Sequence, residues 1–469
     1  VKIAWGDEGF ALPAVLGAIA LMTALAVGGF ALAQQSLNDS VRLSFENRAY
    51  QAASTGLERE LSTFSEAKFQ SSYYPTPLRN VNGSDTYFVA VNKLSDGFFE
   101  MVSLGQSDQT TESVRVRFQH FDLWDMNIAG AENSQVGSGA GFNGNGTIIG
   151  KVYCNGNLEW SGNGSLMSGP VFVRNGVFNK QSSGSNVGVV TAPVDMYLDN
   201  PAVGQTTNMY TTYRGNAPRI ELPWLTSTDM STYLAQAKAE SVPDPLIDQR
   251  PLSLQRAPGA SAQYYKWITT NLNIGVDGSS PSFGGDPSVA PVQGTPGSGP
   301  DDFAYDNTTG ALRVDGIVYV DGLVTIGPNV KMYYGKGTIV ACDGIVIDGH
   351  LMPAPAFGVP TPDPNYWDGT PWGTNSYPRV GPDYCLGLIT PGGVTLKSTG
   401  WGFVGAVFSN GPFKATATGA SVRGSLICAG IDFSQPNSLL VTQPGLRAYL
   451  PSSMPALDGI TARGEWLRK

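Results

Sequence analysis

The sequence predicts a mainly β protein carried on one long N-terminal α-helix: a small antiparallel sheet follows the helix, then a parallel β-helix (solenoid) with an inserted loop region. Three observations carry this expectation. Phe10 to Ala33 is an unbroken run without a charged residue. Gln34 to Phe69 then places apolar residues at steps of three and four with no proline to interrupt them. Beyond Gly141, short apolar strands spaced by glycine recur at intervals of 18 to 21 residues.

Composition agrees. Charged residues make up 14% of 469 positions, against roughly 25% in an ordinary soluble chain, while glycine occupies 58 and proline 32. That mixture argues against a helical bundle or coiled coil and for a turn-rich β body. The net charge of −9, from 29 basic and 38 acidic residues, argues against nucleic acid as a main partner. His120 and His350 are the only histidines, which leaves little material for His-based metal sites or Ser-His-Asp catalysis.

The run from Phe10 to Ala33, as a helix, is roughly 36 Å long, enough to cross a hydrocarbon core of about 30 Å. A secretory signal peptide has a shorter apolar region behind a basic flank. Here the flank is Gly6-Asp7-Glu8-Gly9, although Ala31-Leu32-Ala33 would permit cleavage. Apolar residues then fall at Leu37, Val41, Phe45, Ala49, Ala52, Ala53, Leu57, Leu61 and Phe64, one face of a continuing helix. The expected object is a single helix, apolar all round in its first half (10–33) and amphipathic in its second (34–70).

Two motifs on this helix resemble a known family. Gly9-Phe10-Ala11-Leu12, with the apolar run beginning directly after the glycine, is similar to the processing site of type IV prepilins and pseudopilins. The stretch from Arg48 to Leu61 (RAYQAASTGLEREL) resembles a segment of PilX-type minor pilins. The resemblance covers roughly the first seventy residues. It implies a leader at 1–9, cleavage after Gly9 by a prepilin peptidase, and N-methylation of Phe10. It also implies packing with other pilin subunits through Pro13, Ala14, Leu37, Val41, Phe45, Ala49, Ala53 and Leu57. The chain would lie in the cytoplasmic membrane before assembly and at the cell surface, in an extracellular filament, afterwards. Major pilins carry a glutamate at the fifth mature position, where this chain has Ala14. Without that carboxylate a subunit cannot neutralise the amine of the one above it, so the departure implies a minor or tip subunit. A membrane-anchored member that never polymerises is the other reading.

Thr86–Val91, Phe98–Leu104 and Glu112–Phe118 are β-rich runs divided by turn residues, so 71–130 is read as a small pilin-like sheet packed on the helix. In 131–469 the glycine-spaced unit starts at Gly150, Gly169, Gly316, Gly337, Gly387, Gly405 and Gly424. This is about one coil of a parallel β-helix; a β-sandwich with glycine-rich hairpins is the competing fold. An insert is expected at about 180–310, with a helix from Thr228 to Ser241, and Leu450 to Trp466 are expected to cap the last coil.

No catalytic residue, metal site or cofactor is assigned. Asp315, Asp321, Asp343 and Asp348 could serve a carbohydrate-active β-helix, but each lies in an Asp-Gly or similar turn that favours aspartate for its backbone bonds alone. Aromatics in the loop 353–382 would suit surface glycans, but such residues more often pack a loop onto its coil. Cys154, Cys342, Cys385 and Cys428 form no CxxC pair; Cys342–Cys385 is the candidate disulfide, buried thiols the alternative. The function expected is a structural subunit of a type IV pilus or related filament, displaying a β-helix head for adhesion or assembly initiation. A membrane-anchored carbohydrate-binding or carbohydrate-active protein is the runner-up.

Overall fold

The computed structural model describes residues 11–64, 68–69, 74–95, 98–130, 146–217, 220, 222, 224–240, 266–277, 303–354, 378–433, 435–443, 445–455 and 457–468. The chain divides into two compact units, Val1–His120 with Ile460–Lys469, and Phe121–Gly459. The second unit is therefore an insertion into the first.

In the first unit a single helix runs Ala11–Ser62, ending short of the expected boundary at 70. Strands Arg79–Asn82, Asp85–Ser95, Phe98–Ser107 and Thr110–Asp122 pair antiparallel in sequence order. Alternation sorts their side chains: Phe99, Met101, Val114, Val116 and Phe118 are buried with Ala53 and Leu57 of the helix. The fifth strand of this sheet is Asp458–Arg468, at the edge beside Thr110–Asp122. The C-terminal stretch read as a solenoid cap is thus a strand of the small sheet, where an open edge offers a full row of backbone partners.

The second unit is a parallel β-solenoid of about 11 turns. The order of its rungs is not the order of the chain. The first strand, Met126–Gly130, pairs parallel with Lys151–Asn155 on one side and with residues of Ala420–Asp432 on the other. From that middle position the chain coils outward through Val171–Arg174, Val194–Leu198 and Thr211–Gly215. It re-enters at the far end with Trp267–Ile268. From there it coils back through Gly316–Val320, Lys336–Ala341, Cys385–Thr390 and Gly400–Ala415 to Ala420–Asp432, beside where it began.

All seven glycine-spaced units are rungs. Three strand segments inside the expected insert, Val194–Leu198, Thr211–Gly215 and Trp267–Ile268, are rungs as well, so the interruption is shorter than 180–310. Met126–Gly130, assigned to the small sheet from sequence, is solenoid. Glycine is required where rungs stack most closely: a Cβ on Gly424 (φ +134°) would stand 1.8 Å from the Gly405 carbonyl oxygen.

One sheet of the solenoid is buried on both faces. Inward, Val318, Ile339, Leu388, Val407, Leu426, Ile128, Val152, Val171 and Met196 share one core. Outward, the register stacks Tyr319, Val340, Ile389, Phe408, Ile427, Ala129, Tyr153, Phe172 and Tyr197 in a single line, and every one of them is buried too. This is why these strands read as apolar runs rather than as alternations.

The described residues of the segment 216–240 lie along that outer face. Arg174 Nη1 donates to the Ala217 carbonyl (3.3 Å), and Tyr153 Oη bonds the Ile220 backbone (3.3 and 3.4 Å). Asn410 exchanges two bonds with the Leu225 backbone, both 2.8 Å. The helix Ser227–Glu240, one residue from its expected start, packs on Gly316–Val320 with Met230, Tyr233 and Ala237 buried. Its last residue, Glu240, accepts from Ile317 N (2.7 Å) and pairs with buried Lys266 (3.3 Å).

Candidate functional site

The candidate site is the surface of the long helix. No proline occurs from Val15 to Ser62, and leucine and alanine dominate its first half, so the helix runs on through Gly17 and the pair Gly28-Gly29. It is long and apolar enough to cross a membrane, with a mean hydropathy of 2.2 in its most apolar stretch and none of that stretch buried. Leu21, Met22, Leu25, Phe30, Leu32 and Leu37 are each 65 to 71% exposed. A patch of this size is far larger than a soluble surface tolerates. Its length and composition fit insertion in lipid or among other apolar helices.

The second half of the helix is held differently. Ala49, Ala52, Ala53 and Leu57 are buried against the sheet, which the helix approaches so closely that a Cβ on Gly105 would lie 2.0 Å from the Ala49 carbonyl oxygen. Arg48 makes a two-pronged ion pair with Asp85 (3.0 and 2.9 Å), and Asp85 also accepts from Ser107 Oγ (2.7 Å). Glu60, buried, is met by Arg79 (3.1 Å) and Tyr74 Oη (3.3 Å). These polar fixings orient one helical face and leave the other half free of the fold.

The residues expected to pack against other subunits therefore divide. Leu37 and Val41 are exposed and Phe45 is half-buried, all on the helix face they were assigned. Ala49, Ala53 and Leu57 are spent inside the subunit, because Tyr87 and Gly105 of its own sheet occupy the groove they form. Pro13 and Ala14 lie in the helix, with side chains outside the described set, and Gly9 and Phe10 lie outside the described residues. Gly56 and Gly105 were missed from the sequence. Their only signal was a small residue where a helix and a strand would need one.

All four cysteines are free thiols. The register excludes a Cys342–Cys385 bridge: Cys385 stands opposite Lys336, six residues before Cys342 on the neighbouring strand, which is roughly 20 Å along a strand against the ~7 Å limit for a disulfide. Burial pushes the Cys385 and Cys428 thiols up to about 12, and raises that of Cys342 as well. Cys342 Sγ lies 3.1 Å from Tyr319 Oη.

Two of the four turn aspartates have structural partners. Asp315 pairs with Arg313 (2.7 Å) and accepts from Lys336 N (2.9 Å), and Asp321 accepts from Trp267 Nε1 (2.9 Å). Among the described residues, no three His, Cys, Asp or Glu side chains gather as a metal site. Most of the loop 353–382 lies outside the described residues.

No family model matches the chain, and no curated protein does. A solved structure similar to it is that of the competence-associated pilin ComZ from Thermus thermophilus, at 16% identity, covering 91% of this chain and 98% of that one, with a TM-score of 0.47. A likeness of that size says nothing about function.

Proposed function

We propose that this chain is a minor pilin-like subunit of a type IV pilus or related filament, without catalytic activity of its own. One observation carries the reading. A single helix is built into a folded domain along its second half, while its first half presents large apolar side chains on every side. A helix designed that way inserts in a bilayer or among like helices, with the attached domain held outside.

The finer parts of the reading rest on residues. Gly9-Phe10 resembles a prepilin processing site, so the mature chain starts at a methylated Phe10 after peptidase cleavage, waits in the cytoplasmic membrane and then joins other pilins. Ala14, in place of the charge-neutralising glutamate, favours a position at or near the tip, where no subunit lies above. The solenoid would then be the displayed head, serving adhesion, surface glycans among its candidate ligands, or initiation of assembly.

The test is intact mass of the native protein together with its co-purification with filaments. A methylated Phe10 start and filament-bound protein are expected. A chain that stays in the membrane fraction while filaments form without it would favour the anchored carbohydrate-binding alternative.

A further inference from the structure

At one place in the solenoid, neighbouring rungs are not consecutive in the chain. Leu426, Ile427 and Cys428 pair with Ile128, Ala129 and Gly130, and Leu439, Leu440 and Val441 pair with Thr147, Ile148 and Ile149. Everywhere else among the described rungs, strands that stack on each other belong to successive coils of the chain. Two half-solenoids therefore meet at this junction through hydrogen bonds and packing alone, including Thr147 N to Ser438 O (2.8 Å) and Thr442 N to Ile149 O (2.7 Å).

The segment 216–240 crosses the same junction on the outside. It is fixed to one half by Tyr153 and to the other by Asn410. The rungs carrying these anchors are three spacings apart, roughly 14 Å. Below the junction, the entering and leaving chains are joined by Leu123 N to Leu457 O (3.2 Å) and Trp124 Nε1 to Pro455 O (3.0 Å).

We propose that this junction is a built-in joint. Under load or mild denaturant the head opens there first, into two folded half-solenoids, and the strap 216–240 and the paired chains at the base hold the halves in place to reclose. The proposal does not depend on the pilin reading. A repeat protein is stabilised by its nearest-neighbour interfaces, and the one interface lacking a direct chain connection is the one that separates without uncoiling a rung. The strap supplies the missing covalent link from outside.

Peptide-resolved hydrogen exchange on the full chain in detergent, at low denaturant, tests it. The junction amides of Thr147 and Thr442 are expected to exchange through a lower-energy opening than those of Gly150 and Cys342, which bond within one half. Asn410→Ala and Tyr153→Phe each remove two strap bonds, and each is expected to speed the junction amides on the order of tenfold while leaving Cys342 unchanged. A cross-junction pair, Thr147→Cys with Leu439→Cys, which stand directly opposite, is expected on oxidation to slow the junction to the rate of the interior. Equal exchange at Thr147 and Cys342 in the unmodified chain, or variants that speed every rung alike, would overturn the joint.

Discussion

In the small sheet, Phe99 and Met101 are buried against the helix, while Glu100 and Val102, which alternate with them, are only half-buried on the other face. In the solenoid, Val318 and Tyr319 are neighbours pointing to opposite faces, and both are buried, as are Leu388 and Ile389. The antiparallel sheet has one covered face and tolerates charge on the other, where Arg115 and Arg117 share Glu100 (3.5 and 3.3 Å). The parallel sheet has two, because later chain lies on the outside: the strap, and Ser453 and Met454 against Thr338 and Gly387. The same secondary structure thus obeys two different hydrophobic rules in one chain, and each can be challenged by substitution.

The largest effects are expected where backbones meet. Gly105→Val would push a side chain into the helix backbone and cost at least ~3 kcal/mol. The expected outcome is loss of the first unit's packing with the solenoid's thermal transition retained, read by differential scanning calorimetry. A single transition that drops as a whole would mean the two units do not melt separately.

Outward-facing residues sharpen the comparison. Ile389→Ala, on the covered outer face, should cost about 2–5 kcal/mol, as a core truncation does. Leu104→Ala, outward on the small sheet and 41% exposed, should cost no more than about 1 kcal/mol. Equal losses in denaturant titrations would show that the strap does not make the outer ladder a core.

Thiol chemistry follows the same burial. Cys385 and Cys428, with thiols pushed up to about 12, should resist alkylation of the native protein, while half-exposed Cys342 reacts first, though slowly. Denatured without reductant, the chain should titrate four thiols; two would restore the disulfide that the register excludes.

The smallest effect is electrostatic. Thr226 donates to Asp229 through both its hydroxyl (2.7 Å) and its backbone N–H (2.8 Å), which holds the Asp229 carboxyl below its ordinary value. A depressed folded pKa gives stability that is present above the unfolded value, near ~3.9, and lost as pH falls through the folded one. Acidification below pH ~4 should therefore loosen the start of the strap helix, and Asp229→Asn should remove that dependence. Exchange rates of the helix amides across pH 2–5, corrected for intrinsic rates, measure it.

Much of this was readable in advance, for reasons that also mark where reading stopped. Seven rungs announce themselves because each carries a glycine at or, for Gly387, one residue beyond the same place in its coil. Val194–Leu198 and Thr211–Gly215 did not, since Val194 and Thr211 stand where those glycines would be. The long helix was legible from its spacing. Which residues of its amphipathic half the sheet covers was not, because Leu37 and Leu57 look alike until the sheet that covers one of them is in place. The pairing of Leu426 with Ile128 is a contact between residues some 300 positions apart, and repeats that resemble one another carry no label for their order. Asp458–Arg468 followed a solenoid and was taken for its end, although its strand partner lies far upstream.

The insertion has a consequence for biogenesis. The small sheet is completed by Asp458–Arg468, and the first rung, Met126–Gly130, is covered on one side only when Ala420–Asp432 has been made. On the ribosome, the small sheet therefore waits for Asp458–Arg468 and the first rung for Ala420–Asp432, and each holds a strand edge open until then. A product truncated before Ala420 would carry two unpaired edges and a bare apolar helix, three signals that a chaperone or protease can read.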